Sequence, residues 1–220
     1  MRRGSVGAGL LLAACLALSV ALVRRTDEQR AATARDEVLY LHSPALLRRL
    51  SLGHEGLVAD LYWTRAVQYF GMRRHAREGT FPLLDPLLEI ATALDPKLTV
   101  AYQFGASFLS PPPPDGAGQP EKAIELLEFG IRHNPEEWRL FYNLGFIYYL
   151  EMKDYARASE AFGRGAKVPG AHPFLRVLAA QTAEHAGEVE TARLLWETTL
   201  ESSTDPLVRE NARTHLRGLQ

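Results

Sequence analysis

The stretch from Phe141 to Pro169, FYNLGFIYYLEMKDYARASEAFGRGAKVP, constrains the chain most. It carries an aromatic at Phe141, the pair Leu144-Gly145, Tyr148, then Ala158 and Phe162 at a spacing of one helical turn, and a closing Pro169. Ala, Leu, Glu and Arg, all helix formers, recur through the rest of the sequence. No alternating apolar run bounded by turn residues reads as a strand, so the expectation is an all-α protein. With 220 residues, 46% of them hydrophobic and 23% charged, a single helical array can bury a sizeable core.

Those seven positions resemble one tetratricopeptide repeat, whose pattern is an aromatic, Leu-Gly, Tyr, Ala-x3-Phe and a terminal Pro. The resemblance gives each residue a packing role. Gly145 lets the two helices of the repeat approach, and Ala158 and Phe162 fill the seam between them as a small and a large partner. One such hairpin cannot bury its apolar face alone, so neighbours must stack on it. The resemblance implies an α-solenoid of about four helical hairpins closed by a C-terminal cap helix. It also implies a non-enzymatic scaffold that binds a protein or peptide segment.

Reading outward from the clear repeat extends the pattern over residues 55–220. A degenerate first unit spans 55–96. Its opening helix begins at Glu55, with Leu57, Leu61, Ala66, Val67 and Phe70 at helical spacing and Trp63 and Tyr69 alongside. Its second helix is Asp85–Leu94. The next unit, 97–135, starts at Asp95-Pro96 and puts Phe104-Gly105 and Phe108 in the Leu-Gly and Tyr places. Ser110 to Gln119, SPPPPDGAGQ, interrupts it with prolines that favour an extended polyproline conformation. Pro120 then opens the second helix, which carries Ala123, Leu127, Gly130 and Pro135. After 136–169, a further pair over 171–206 uses Gly187 at the turn, Ala192 as the small residue and Trp196 as the large one. Asp205-Pro206 opens the cap, 207–220. Ahead of the array, residues 26–54 read as a helical linker, in which Ser43 caps a short helix that Pro44 begins and Gly53 ends.

The amino terminus (residues 1–25) carries the localisation. Met1-Arg2-Arg3 precedes a run from Val6 to Val23 without a charge, closed by Arg24-Arg25. About 18 apolar residues are just enough for a transmembrane helix. A cleaved signal peptide would instead use Ser19-Val20-Ala21, and a lipoprotein signal would use Leu12-Ala13-Ala14-Cys15. The anchor is preferred, because arginines directly after Ala21 hinder export and the chain stays apolar after Cys15. Both flanks hold two arginines, and the free amino group tips the start toward the cytoplasm. The expectation is a single-pass protein of a bacterial inner membrane with its C-terminal domain in the periplasm.

Charge and motif content narrow the function. The formal net charge of -1 offers no footprint for nucleic acid. Without Arg2 and Arg3 the chain carries 23 basic against 26 acidic groups, which argues against binding to anionic lipid over the domain as a whole. The single Cys15 forms no intramolecular disulfide. None of the seven histidines sits in a ligand pair at helical spacing, and no phosphate loop, dinucleotide fingerprint or nucleophile elbow is present. The reading is therefore of no enzyme, no cofactor, no metal and no evident small-molecule substrate.

In the family that the sequence resembles, first helices line the concave face. That places Arg139, Tyr142, Asn143, Phe146 and Tyr149 in the groove, with Tyr102 in the place equivalent to Tyr142. Asn143 matches one residue of the clamp that holds a chaperone's C-terminal carboxylate. The basic residues that complete this clamp are replaced by Phe174 and Leu178, which disfavours that ligand. Two functions remain: a membrane-anchored scaffold that supports assembly of an envelope complex, or a pilotin-like lipoprotein or outer-membrane assembly factor acylated at Cys15.

Overall fold

A computed structural model describes Cys15, residues 18–22, Arg25 and residues 43–219. The chain divides into two compact units, Met1–Tyr40 and Leu41–Gln220. In the first, the described residues are helical and exposed. The expected membrane span at Val6–Val23 falls largely outside the described residues, and residues 26–42 of the expected linker fall wholly outside them. Among these residues, no helix is long and apolar enough to cross a membrane.

The second unit is all helical, with no strand among the described residues. Local chemistry sets half of the helix starts. Ser43 accepts a hydrogen bond from the Leu46 amide at 3.3 Å, and Pro44 occupies the first position of α1, Pro44–Leu50. Beyond it, Gly53 at φ +88° supplies the left-handed turn, and α2 runs Glu55–His75. Then come α3, Leu84–Leu94, and α4, Thr99–Leu109. The start of α4 lies past Asp95-Pro96, because the Asp95 carboxylate accepts the Lys97 amide at 2.9 Å and closes a turn there. Pro120 begins α5, Pro120–His133.

Next are α6, Trp138–Ile147, a π-helical turn, Tyr148–Met152, and α7, Tyr155–Ala166, capped by Asp154. The last three are α8, Phe174–His185, α9, Val189–Ser202, and α10, Pro206–Gly218. Gly187 at φ +75° makes the turn between α8 and α9. Asp205 accepts from the Leu207 amide at 2.8 Å at the head of α10.

Each helix from α2 to α9 packs on the one before and the one after it, α10 packs on α9, and α4 also meets α6. The seams are filled by side chains without exposed surface, among them Leu84, Leu88, Leu127, Leu140, Leu144 and Trp196. Ser159 Oγ donates to the Ala179 carbonyl at 2.8 Å and ties α7 to α8. Trp196 stacks on His215 at 4.4 Å, and Glu184 accepts from the Trp196 indole N–H at 2.5 Å and lies 3.0 Å from His215 Nδ1. That contact fixes α10 over α8 and α9.

Two expectations change. In α2 the buried residues are Ala59, Ala66, Tyr69 and Phe70, whereas Leu57 and Leu61 are 63% and 62% exposed. The helix is apolar on two sides, and its aromatics decide the orientation: Phe70 lies 5.4 Å from Phe81 and 4.2 Å from Phe108. The proline segment is not an extended strut. Ala117, Gly118 and Gln119 donate backbone hydrogen bonds to the carbonyls of Phe108, Pro111 and Leu109, folding it back on the end of α4.

Candidate functional site

Three helices, α4, α6 and α8, border two adjoining pockets. The larger, about 450 Å³, is lined by Gln103 of α4, by Trp138, Arg139, Tyr142 and Asn143 of α6, and by His172, Phe174 and Leu175 at the start of α8. The smaller, about 290 Å³, again includes Tyr142 and Asn143 and adds Phe146, Leu150, Ser107 and Pro111 among others. Tyr142 and Asn143 line both, so together the pockets form one groove.

Tyr142 is half-buried, its ring 4.7 Å from Phe146 and 6.4 Å from Phe162. It therefore both supports the seam and presents an edge to the groove. Asn143 Nδ2 donates to the Gln103 carbonyl at 3.4 Å and joins α6 to α4. Arg139 is exposed, with its guanidinium 4.8 Å from the Trp138 ring centre and 3.1 Å from Glu137 Oε1. At the head of α8, His172 Nδ1 accepts from the Phe174 amide at 3.2 Å, which leaves the Phe174 ring 47% exposed at the groove wall. The surface is aromatic, with two amide side chains and one arginine, and it suits a segment offering apolar side chains and backbone hydrogen-bond groups.

Four of the six expected groove residues, Arg139, Tyr142, Asn143 and Phe146, line this groove. Tyr102 does not, because it has no exposed surface. Its ring lies against Gly130, where a β-carbon would come within 2.7 Å, just as Phe141 lies against Gly165 at 2.8 Å. Tyr102 thus does in its hairpin what Phe141 does in the next, and its hydroxyl reaches the Pro96 carbonyl at 3.2 Å. Burial, with the Asp95 carboxylate adding to it, holds that hydroxyl protonated well above the ordinary tyrosine range. The expected register is one residue off, a rotation of about 100°, and Gln103 is the residue that reaches the groove. Phe104, 52% exposed, likewise does not pack as Leu144 does.

Tyr149 also leaves the stripe. The π-helical turn begins at Tyr148, and its wider coil advances the groove-facing position to Leu150. Tyr149 instead joins Tyr155 at 5.3 Å and His185 at 6.2 Å. Sequence reasoning also missed the groove role of Pro111, because a folded proline turn cannot be told from an extended one by composition.

Among the described residues, no three His, Cys, Asp or Glu side chains gather to hold a metal ion. No protein-family model matches the chain, and no curated protein matches it.

Proposed function

We propose that the chain is a non-enzymatic scaffold of tetratricopeptide type, anchored in a membrane by its apolar amino terminus. Its groove binds an extended or helical segment of a protein and so supports assembly of an envelope complex, with the helical domain on the periplasmic side. The observation that carries the reading is the continuity of the two pockets along α4, α6 and α8 through Tyr142 and Asn143. Further support comes from the contacts of Gly130 with Tyr102 and of Gly165 with Phe141, which give successive hairpins a similar close approach. The resemblance of Phe141–Pro169 to the repeat supplies the family, and the Val6–Val23 run supplies the anchor.

A photo-crosslinking side chain at Phe146, in the full chain in its own membranes, tests the groove. The expected result is a defined protein adduct that disappears when Tyr142→Ala is added. Adducts indifferent to Tyr142→Ala would refute the groove as the binding surface.

A further inference from the structure

Charge is divided along the chain. Residues 43–79 carry six arginines and three carboxylates, whereas residues 80–219 carry 13 basic and 19 acidic groups. Arg73 pairs with Glu78, and Arg74 pairs with Asp115 at 3.0 Å. With both pairs set aside, Arg48, Arg49, Arg65 and Arg77 stand against Glu55 and Asp60, so this first stretch stays cationic.

Exposed leucines concentrate in the same stretch: Leu46, Leu50, Leu52, Leu57 and Leu61. Leu46, Arg49 and Leu50 share one face of α1, and Leu57 and Leu61 lie across α2 from the buried Ala59 and Ala66. Leu52, in the turn between these helices, is 86% exposed and holds φ +50°. Left-handed backbone costs an ordinary side chain about 1–2 kcal/mol, so a leucine there is disfavoured by backbone and by solvent alike. Neither groove pocket, nor the larger cleft of about 880 Å³ between α7 and α9, takes a wall from α1, α2 or this turn. Protein partners seat their anchors in pockets. Projecting leucines and arginines suit instead a bilayer, which closes around each side chain.

We propose that α1, the Leu52 turn and the outer side of α2 form a face that contacts a bilayer of anionic phospholipid, an inference that rests on the membrane anchor proposed above. The described domain begins about 20 residues after Val23, a tether of at most roughly 70 Å. The leucines enter the boundary between headgroups and acyl chains, and the arginines meet the phosphates. A contact of this size is reversible, so it orients the domain while the anchor holds it.

The test uses the full chain in lipid nanodiscs, one chain to a disc, with Cys15→Ser and a single fluorophore at Leu52→Cys. A second preparation carries the fluorophore at Leu207→Cys, because Leu207, at the head of α10, is 81% exposed. Brominated phosphatidylglycerol should quench the Leu52 label and spare the Leu207 label. Discs of brominated phosphatidylcholine, or Arg49→Glu with Leu57→Glu, should lower the Leu52 quenching toward the Leu207 level. Both of these side chains are exposed, so the core is left intact. No quenching at Leu52, equal quenching at the two labels, or quenching indifferent to lipid charge and to the double variant would overturn the face. So would a Leu52 label shielded from aqueous iodide but untouched by bromolipid, since its cover would then be protein. A chain that stays out of the discs refutes the anchor alone; brominated phosphatidylglycerol vesicles added to the soluble chain then decide the face by the same quenching.

Discussion

Gly145 lies against the ring of Phe162, so close that a β-carbon on the glycine would stand 2.5 Å from the ring. The approach of α6 to α7 is set by that missing atom. Gly145→Ala should lower stability by about 1–3 kcal/mol, since neither ring nor backbone has room to give. Gly163→Ala, on α7 but facing open space, should raise it by roughly 0.5–1 kcal/mol. Urea denaturation of the two variants side by side checks both signs, and equal destabilisation would contradict the close approach.

Tyr142 and Arg139 separate packing from recognition. Tyr142 is half-buried against Phe162, so Tyr142→Ala should cost about 1–3 kcal/mol of stability as well as partner contact. Arg139 is exposed, and Arg139→Ala should change stability by about 1 kcal/mol or less. A melting scan and the Phe146 crosslink, measured on each variant, distinguish them: Arg139→Ala should lower the crosslink with an unchanged melt.

Tyr102 gives the fold a pH limit. Its hydroxyl is raised above the ordinary value of 10.0, so the folded state keeps a proton that the unfolded chain releases. The stability linked to it is therefore complete below about pH 10 and lost as pH rises toward the folded value. Tyr102→Phe should cost only about 0.5–1.5 kcal/mol at neutral pH, because the Pro96 carbonyl keeps its bond from Asn134 Nδ2 at 2.7 Å. Above pH 10 the variant should lose less stability than the parent, as read from denaturation midpoints across that range.

The amino terminus is decided by fractionation. Removing residues 1–25 should move the protein from the membrane to the soluble fraction, and carbonate should not extract the full chain. Incorporation of a labelled lipid precursor, lost in Cys15→Ser, would establish the lipoprotein instead.

Helix starts were legible where a side chain acts on its own backbone. Ser43-Pro44, Pro120 and Asp205-Pro206 name their helices because capping needs no distant partner. The seam residues Gly145, Ala158 and Phe162 were legible because the repeat pattern records packing. The place of Tyr102 was not, since only Gly130, 28 residues on, selects which face of α4 turns inward. Nor was that of Tyr149, because the π-helical turn has no local signal in Tyr148–Met152. The two-sided apolar surface of α2 left its orientation open until Phe81 and Phe108 closed on Phe70.

Tyr102 and Phe141 stand at equivalent places, each packed on a glycine of the helix that follows, so the residue after each is the one its hairpin shows outward: Gln103 in one, Tyr142 in the other. The contacts that set the spacing of each hairpin thus lie one residue away from the side chains that face outward. A lineage could rewrite what this surface recognises by substitution at those two places while the seats of Tyr102 and Phe141 on their glycines stay as they are.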